Sequence, residues 1–424
     1  MMNQAGPRAQ ARGLGILVVF FAAVVHSAWA ATSTESADVQ QVESEATAQL
    51  VRSCGEQVND AKFACYEQGL LRLLRSSGVK SAMDTLAAAG ELDRDVQRDG
   101  HVHAHAIGIA AYGTGQNVSD TFRNCSELFQ SGCYHGVIQA YLEHVLDPSM
   151  AEDAARLDAV CRTYRDDPSS HWLLFQCLHA LGHGLTAFYD HDLPRALQTC
   201  DVLSDDWDQH SCYGGAFMEN VVHATRPHHP SHEHKAIHSS LPGRPQFVPI
   251  KATDLLHPCS VLQERYWLDC YQMQTSVILY HNSGDIRGAA VVCDRAPVAM
   301  RPWCYQSLGR DISSYTLQQA DEAIRLCSLG HPQYQPWCYV GLVKNFIDLT
   351  AKSESGLLFC PRVPARVNQL KCYEAVGEEI WALTSQDSQR AALCSSADGE
   401  NREACRYGAR LRNDMPPGIP VANQ

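Results

Sequence analysis

Histidines at helical spacing are the residues through which this chain can do chemistry. In Cys177-Leu178-His179-Ala180-Leu181-Gly182-His183-Gly184 two imidazoles stand four residues apart, and a helix projects both from one face. A neutral imidazole is a ligand for zinc, copper or iron, and near neutral pH it also accepts protons. Sixteen of the 20 histidines lie between His101 and His238. That concentration sets this segment apart from the rest of the chain.

The elements that must position these histidines follow from the cysteines. The 18 cysteines fall into nine consecutive pairs: Cys54 with Cys65, Cys125 with Cys133, Cys161 with Cys177, Cys200 with Cys212, Cys259 with Cys270, Cys293 with Cys304, Cys327 with Cys338, Cys360 with Cys372 and Cys394 with Cys405. Most partners stand 11 or 12 positions apart, and from Cys270 onward the second members step by 34, 34, 34 and 33. A fixed period of this length demands a repeating fold. Cys65 to Cys133 spans 68, twice 34, so a copy without cysteines lies between them, with His103 in the cysteine's place. An even count in an exported chain predicts that all are paired. No thiolate then remains for a metal, and ligands must be nitrogen and oxygen.

Each unit reads as two helices. Ala320 to Cys327 has acids early and apolar residues on one face, a turn with Gly330, Pro332 and Pro336 follows, and Cys338-Tyr339 opens a second helix carrying Leu342, Val343 and Phe346. A disulfide from the end of one helix to the start of the next contributes on the order of 3 kcal/mol by loop entropy. A hairpin cannot bury its apolar face alone, so the units should stack. The 34-residue period resembles tetratricopeptide repeats, and a disulfide in every hairpin is similar to the cysteine-rich Sel1-like repeat proteins. This resemblance covers residues 50 to 410 in architecture and implies a superhelix with a concave binding surface; no functional residue is carried over from it. The expected fold is all-α, about ten hairpins of ~34 residues forming a solenoid or a closed α/α toroid.

With the second cysteine of each unit as position zero, positions +1, +4, +5 and +8 share its face, while +2 and +6 point away together. The later units place Gln272 and Ser276, Gln306 and Arg310, Val340 and Lys344, and Glu374 and Glu378 there, a solvent or groove face. The earlier units place His105, His135, and the pair His179 and His183 there. Three successive +2 histidines can converge if the superhelix curves toward them, and a three-histidine set holds zinc, copper or iron with a position open to water or substrate. The opposing reading is a set of exposed histidines on a polar face. In the metal reading His105, His135 and His179 are ligands, His183 a fourth ligand or general base, and Glu219 an acid/base nearby. Glu219 and His223, four apart on an inward face, form a ligand pair, an acid/base pair or a buried hydrogen bond. His144 is placed on the same buried side, and His101 can extend the cluster.

The remaining features bound the setting. Arg8 and Arg12, the apolar run Leu14 to Val25 and Ala28-Trp29-Ala30 form a secretory signal over residues 1–30, predicting a secreted or periplasmic protein. Loss of its two arginines takes the formal charge from −13 to −15, which argues against nucleic acid as a partner. No later stretch is apolar enough to span a bilayer. After a linker at 31–49, one repeat domain covers 50–412 and a tail covers 413–424. Within it, 100–240 is the histidine-rich half and 251–412 a regular scaffold. An insertion at 224–250, crowded with His228, His229, His232, His234, His238 and prolines, is a lid, a metal-collecting strand or a disordered segment. Asn117-Val118-Ser119 is a glycosylation sequon. G-x-S-x-G, H-E-x-x-H, a phosphate-binding glycine loop and C-x-x-C-H are not found. Two functions stay open: a transition-metal protein, if an enzyme then a metal-dependent oxidoreductase or hydrolase, and a non-catalytic solenoid binding a peptide, glycan or protein in its groove.

Overall fold

The computed structural model describes residues 45–113, 121–122, 124–145, 153–165, 171–225 and 247–422. The segment read as a secretory signal, the Asn117 sequon and most of the His/Pro insertion lie outside them. Among the described residues the chain is helical without a strand, its one bridge joining Lys251 and Asp254.

The first helices of the units are short because the cysteine ends them. Leu193–Cys200, Ile286–Cys293, Ala320–Cys327 and Asp387–Cys394 each have eight residues, too few to persist alone in water. Each is clamped by its disulfide to the helix that follows: Cys200 is bonded to Cys212, Cys293 to Cys304, Cys327 to Cys338 and Cys394 to Cys405. The other expected bonds are also present, Cys54 to Cys65, Cys125 to Cys133, Cys161 to Cys177, Cys259 to Cys270 and Cys360 to Cys372. Their Cα–Cα separations run from 5.5 to 5.8 Å, within the range a disulfide bridges without moving the backbone.

The longer helices carry the site. They are α1 (Asn59–Leu92), α2 (Arg94–Tyr112), α3 (Gly132–Val145), α4 (His171–Phe188), α5 (Asp206–Thr225), α6 (Gln274–His281), α7 (Arg301–Tyr315), α8 (Gln335–Asp348), α9 (Arg366–Leu383) and α10 (Gly399–Gly408). Gly78, at φ 87°, divides α1 into two helices, because only glycine takes that conformation without strain. Its second half and α2 make the cysteine-free copy, with His103 buried and stacked on Phe63 at 4.4 Å. Asp93 caps α2 through the Asp95 amide and holds Lys62 and Tyr66 at 2.9 Å each.

A buried tyrosine follows most second cysteines: Tyr66, Tyr134, Tyr213, Tyr271, Tyr305, Tyr339 and Tyr373. Burying such a ring stabilises by roughly 1.5–3 kcal/mol. Its hydroxyl still needs a partner, and Tyr305 donates to Asp294, the residue after the first cysteine, at 3.0 Å. Tyr213 repeats the contact with Asp201.

Consecutive second helices pack on one another in chain order, and glycine sets how closely. A Cβ on Gly108 would lie 2.1 Å from the Cys133 carbonyl oxygen, and one on Gly136 2.1 Å from that of His105. Gly182 with Gly215, Gly309 with Gly341 and Gly377 with Gly408 repeat this reciprocal contact at 1.8–2.1 Å. In the first of these Gly182 meets the Cys212 carbonyl, and in the last Gly377 meets that of Cys405. Each pair is therefore a backbone-on-backbone crossing that any side chain would wedge apart.

Among the described residues, some contacts join parts far apart in the chain. His171 on α4 stacks on Trp381 of α9 at 4.3 Å, and Gln97 of α2 donates to Gln318, just beyond α7, at 3.3 Å. Ile419, in the segment read as a tail, is buried. No helix among the described residues is long and apolar enough to cross a membrane.

Candidate metal centre

The +2 and +6 face of the early units is not a solvent face. His105, His135, His179 and His183 retain 4%, 2%, 5% and 2% of their exposure. The glycine crossings explain this: with α2 against α3 and α4 against α5 at backbone contact, a side chain two positions beyond the cysteine is trapped between helices. Gly214 takes the +2 place on α5, and a Cβ there would sit 3.3 Å from His179 Nδ1. Its absence makes room for the ring. Cys177 lies within its helix, since α4 already includes His171, which sets His179 and His183 well inside the helix.

Four neighbouring helices thus meet at one cluster. The His135, His179 and His183 ring centroids form a triangle with sides of 5.0, 5.1 and 5.2 Å. Three groups have potential ligand atoms all within 4.8 Å of one another: His135, His179 and His183; His105, His183 and Glu219; and His191, Glu219 and His223. Each could hold a metal ion. A tetrahedral ion with bonds of about 2.0–2.1 Å needs donors roughly 3.3 Å apart, so side-chain shifts on the order of an ångström complete such a site.

The hydrogen bonds decide which ring atoms face the centre. His135 Nε2 donates to Gln176 Oε1 at 2.8 Å, leaving Nδ1 as the lone-pair nitrogen, buried and without a hydrogen bond among the described residues. His183 Nδ1 lies 3.0 Å from Glu219 Oε2. A carboxylate only accepts, so the proton sits on Nδ1 and the bare nitrogen is Nε2, also buried without a partner among the described residues. His179 is hydrogen-bonded to the Ser211 backbone. Rings anchored through one nitrogen with the other presented inward match the way histidine ligands are oriented. Burial, reinforced by the neighbouring imidazoles, pushes His135 and His179 well below the usual histidine range, so both are neutral and able to donate a lone pair at pH 7.

The residues singled out by spacing do not all meet. His135, His179 and His183 come together, whereas His105 groups with His183 and Glu219 rather than with the other two +2 histidines. His183 is the hub. His101 does join the cluster, its ring 5.4 Å from His135 and its Nδ1 donating to the Phe129 carbonyl at 2.9 Å. That carbonyl belongs to three successive left-handed residues, Phe129, Gln130 and Ser131 at φ 53–59°, a costly conformation for side-chain-bearing residues. Glu219 is buried against His183, and it also shares a potential ligand group with His223. His144 is exposed rather than inward, donating to the Ala140 carbonyl one turn back at 2.7 Å. His191 carries no helical periodicity and escaped sequence reasoning. It sits in the turn after α4, stacked on His223 with centroids 3.3 Å apart and its Nδ1 4.0 Å from Glu219 Oε1.

Compared with protein-family models, curated proteins and solved structures, the chain gives no match. What it does must be argued from the site.

Proposed function

We propose that this is an exported metalloprotein whose centre is a transition ion bound by His135, His179 and His183, with a fourth position open to water or substrate. One observation carries this reading: three buried imidazoles with potential ligand atoms within 4.8 Å of one another, two of them anchored through one nitrogen while the other is buried without a hydrogen bond among the described residues. Leaving such groups buried and unsatisfied costs about 1–3 kcal/mol each, and an ion removes that cost. An all-nitrogen and oxygen donor set suits zinc, copper or iron. An open position on such an ion supports a metal-dependent oxidoreductase or hydrolase, with Glu219 orienting His183 and holding its proton on Nδ1. The nine disulfides support an oxidising compartment, secreted or periplasmic. The wider architecture is proposed as a helical superhelix that closes on itself, supported by the His171–Trp381 and Gln97–Gln318 contacts.

Cobalt(II) tests the centre directly. Metal-free, disulfide-intact protein titrated with Co(II) is expected to develop intense visible d–d bands of a four-coordinate nitrogen/oxygen site, and a folded His135→Ala/His179→Ala variant is expected to lose the bands of this buried centre. No uptake by the parent, or bands unaltered in the variant, would overturn the assignment.

A further inference from the structure

The three overlapping ligand groups cannot all be filled together, and the hydrogen bond between His183 and Glu219 determines which can. An ion held by His135, His179 and His183 takes the bare Nε2 of His183. The group with His105 draws on the same ring, whose Nδ1 is already hydrogen-bonded to Glu219 Oε2. Filling both would require the hydrogen-bonded nitrogen as well, so these two positions exclude one another. The third group shares no histidine with the first. It uses His191, His223 and Glu219, and its carboxylate oxygen nearest His191 is Oε1, not the Oε2 that accepts from His183.

From this geometry we infer a second metal site at His191, His223 and Glu219, joined to the first ion through the His183–Glu219 hydrogen bond. The inference rests on the metal reading of the first site. His191 Nδ1 is buried without a hydrogen-bond partner among the described residues and lies 4.0 Å from Glu219 Oε1. The stacked His191 and His223 rings belong to a turn and to the last turn of α5, which can adjust to an ion more readily than helix interiors. Both are half-buried where the first three histidines are fully buried. The second ion is therefore the one nearer solvent. Its ligand class is a divalent transition ion of the zinc or copper kind, since two imidazoles and a carboxylate form an open nitrogen/oxygen set. Glu219 serves both ions, through Oε1 as ligand to the second and through Oε2 as hydrogen-bond acceptor behind the first.

The test is the stoichiometry of Zn(II) and Cu(II) taken up by the disulfide-intact protein and three variants. The parent should bind two ions, His191→Ala/His223→Ala one, and His135→Ala/His179→Ala the other one. Glu219→Gln should lose the second ion and weaken the first by about 10–100-fold, the usual cost of removing the group behind a ligating histidine. Cu(II) in the parent should show magnetic coupling between ions in its paramagnetic resonance spectrum, and either double variant should show an isolated ion. A parent that saturates with one ion, insensitive to His191→Ala/His223→Ala, overturns the second site and leaves the first standing. A parent that binds no ion overturns both. Should the double alanine variant misfold, His191→Gln alone must still remove the coupling; coupling that persists in it also overturns the second site.

Discussion

Proton placement on His183 governs the centre at the scale of single residues. Glu219 accepts from Nδ1, and the His183 ring completes a triangle of ring centroids with His135 and His179. Gln176 does for His135 what Glu219 does for His183, accepting from Nε2 and leaving Nδ1 inward. It reaches His135 from α4, so the helix that supplies two of the proposed ligands also orients the third. Gln176→Leu keeps the volume and removes the acceptor; metal affinity should fall about 10–100-fold while the disulfides and helicity stay as they are. Competition with a chromophoric chelator reads this, and an unchanged affinity would mean that Gln176 packs against the ring without orienting it. The +2 histidines were legible from the cysteine frame because 2 and 6 recur on a helix with fixed phase. Their burial was not legible, because polarity alone does not distinguish a solvated face from one closed by a neighbour. His191 was invisible for a different reason: a turn residue has no period to betray it.

Among elements, the glycine crossings decide how closely the ligand-bearing helices lie. Gly108, Gly182, Gly309 and Gly377 are five positions past His103, Cys177, Cys304 and Cys372, while Gly136, Gly215, Gly341 and Gly408 are three past Cys133, Cys212, Cys338 and Cys405. Alternate units thus differ, and the packed pair of units is the true building block. Two substitutions separate positioning from stability. Gly215→Ala would drive a Cβ to 1.8 Å from the His179 carbonyl, and overpacking of this kind costs roughly 1–3 kcal/mol or more; it should also weaken metal binding. Gly341→Ala makes the equivalent clash with Gln306 in the other half and should destabilise similarly while leaving metal affinity unchanged. Denaturant unfolding and metal titration on the same samples check both. The helix cap at Asp93 gives a prediction in pH. Burial opposes ionisation there, but hydrogen bonds from Lys62, Tyr66 and the Asp95 amide hold the carboxyl below its ordinary range. Its stabilisation is therefore present above the unfolded value near 4 and is lost as pH falls through the lower folded value. Asp93→Asn should cost stability at pH 7 and much less at pH 3, measured by urea unfolding. A pH-independent difference would contradict the charge argument.

For the whole molecule, the cysteine spacing revealed the repeat and the pairing, since every disulfide closes a short loop inside one hairpin. Contacts between distant units left no such trace: nothing in His171 or Trp381 taken singly points to the other, some two hundred residues away. Trp381→Ala removes that stack and the Arg410 guanidinium 3.4 Å above the same ring. It should cost about 1–3 kcal/mol and enlarge the radius of gyration seen by small-angle scattering. An unchanged radius would show that the proposed closure does not depend on this contact. Everything proposed for the molecule rests on the metal. Elemental analysis of the disulfide-intact protein beside a folded His135→Ala/His179→Ala variant tests it most directly: transition metal bound by the parent and lost from the buried site of the variant is the predicted result, and a parent that holds none, even after reconstitution with zinc, copper and iron salts, would contradict it.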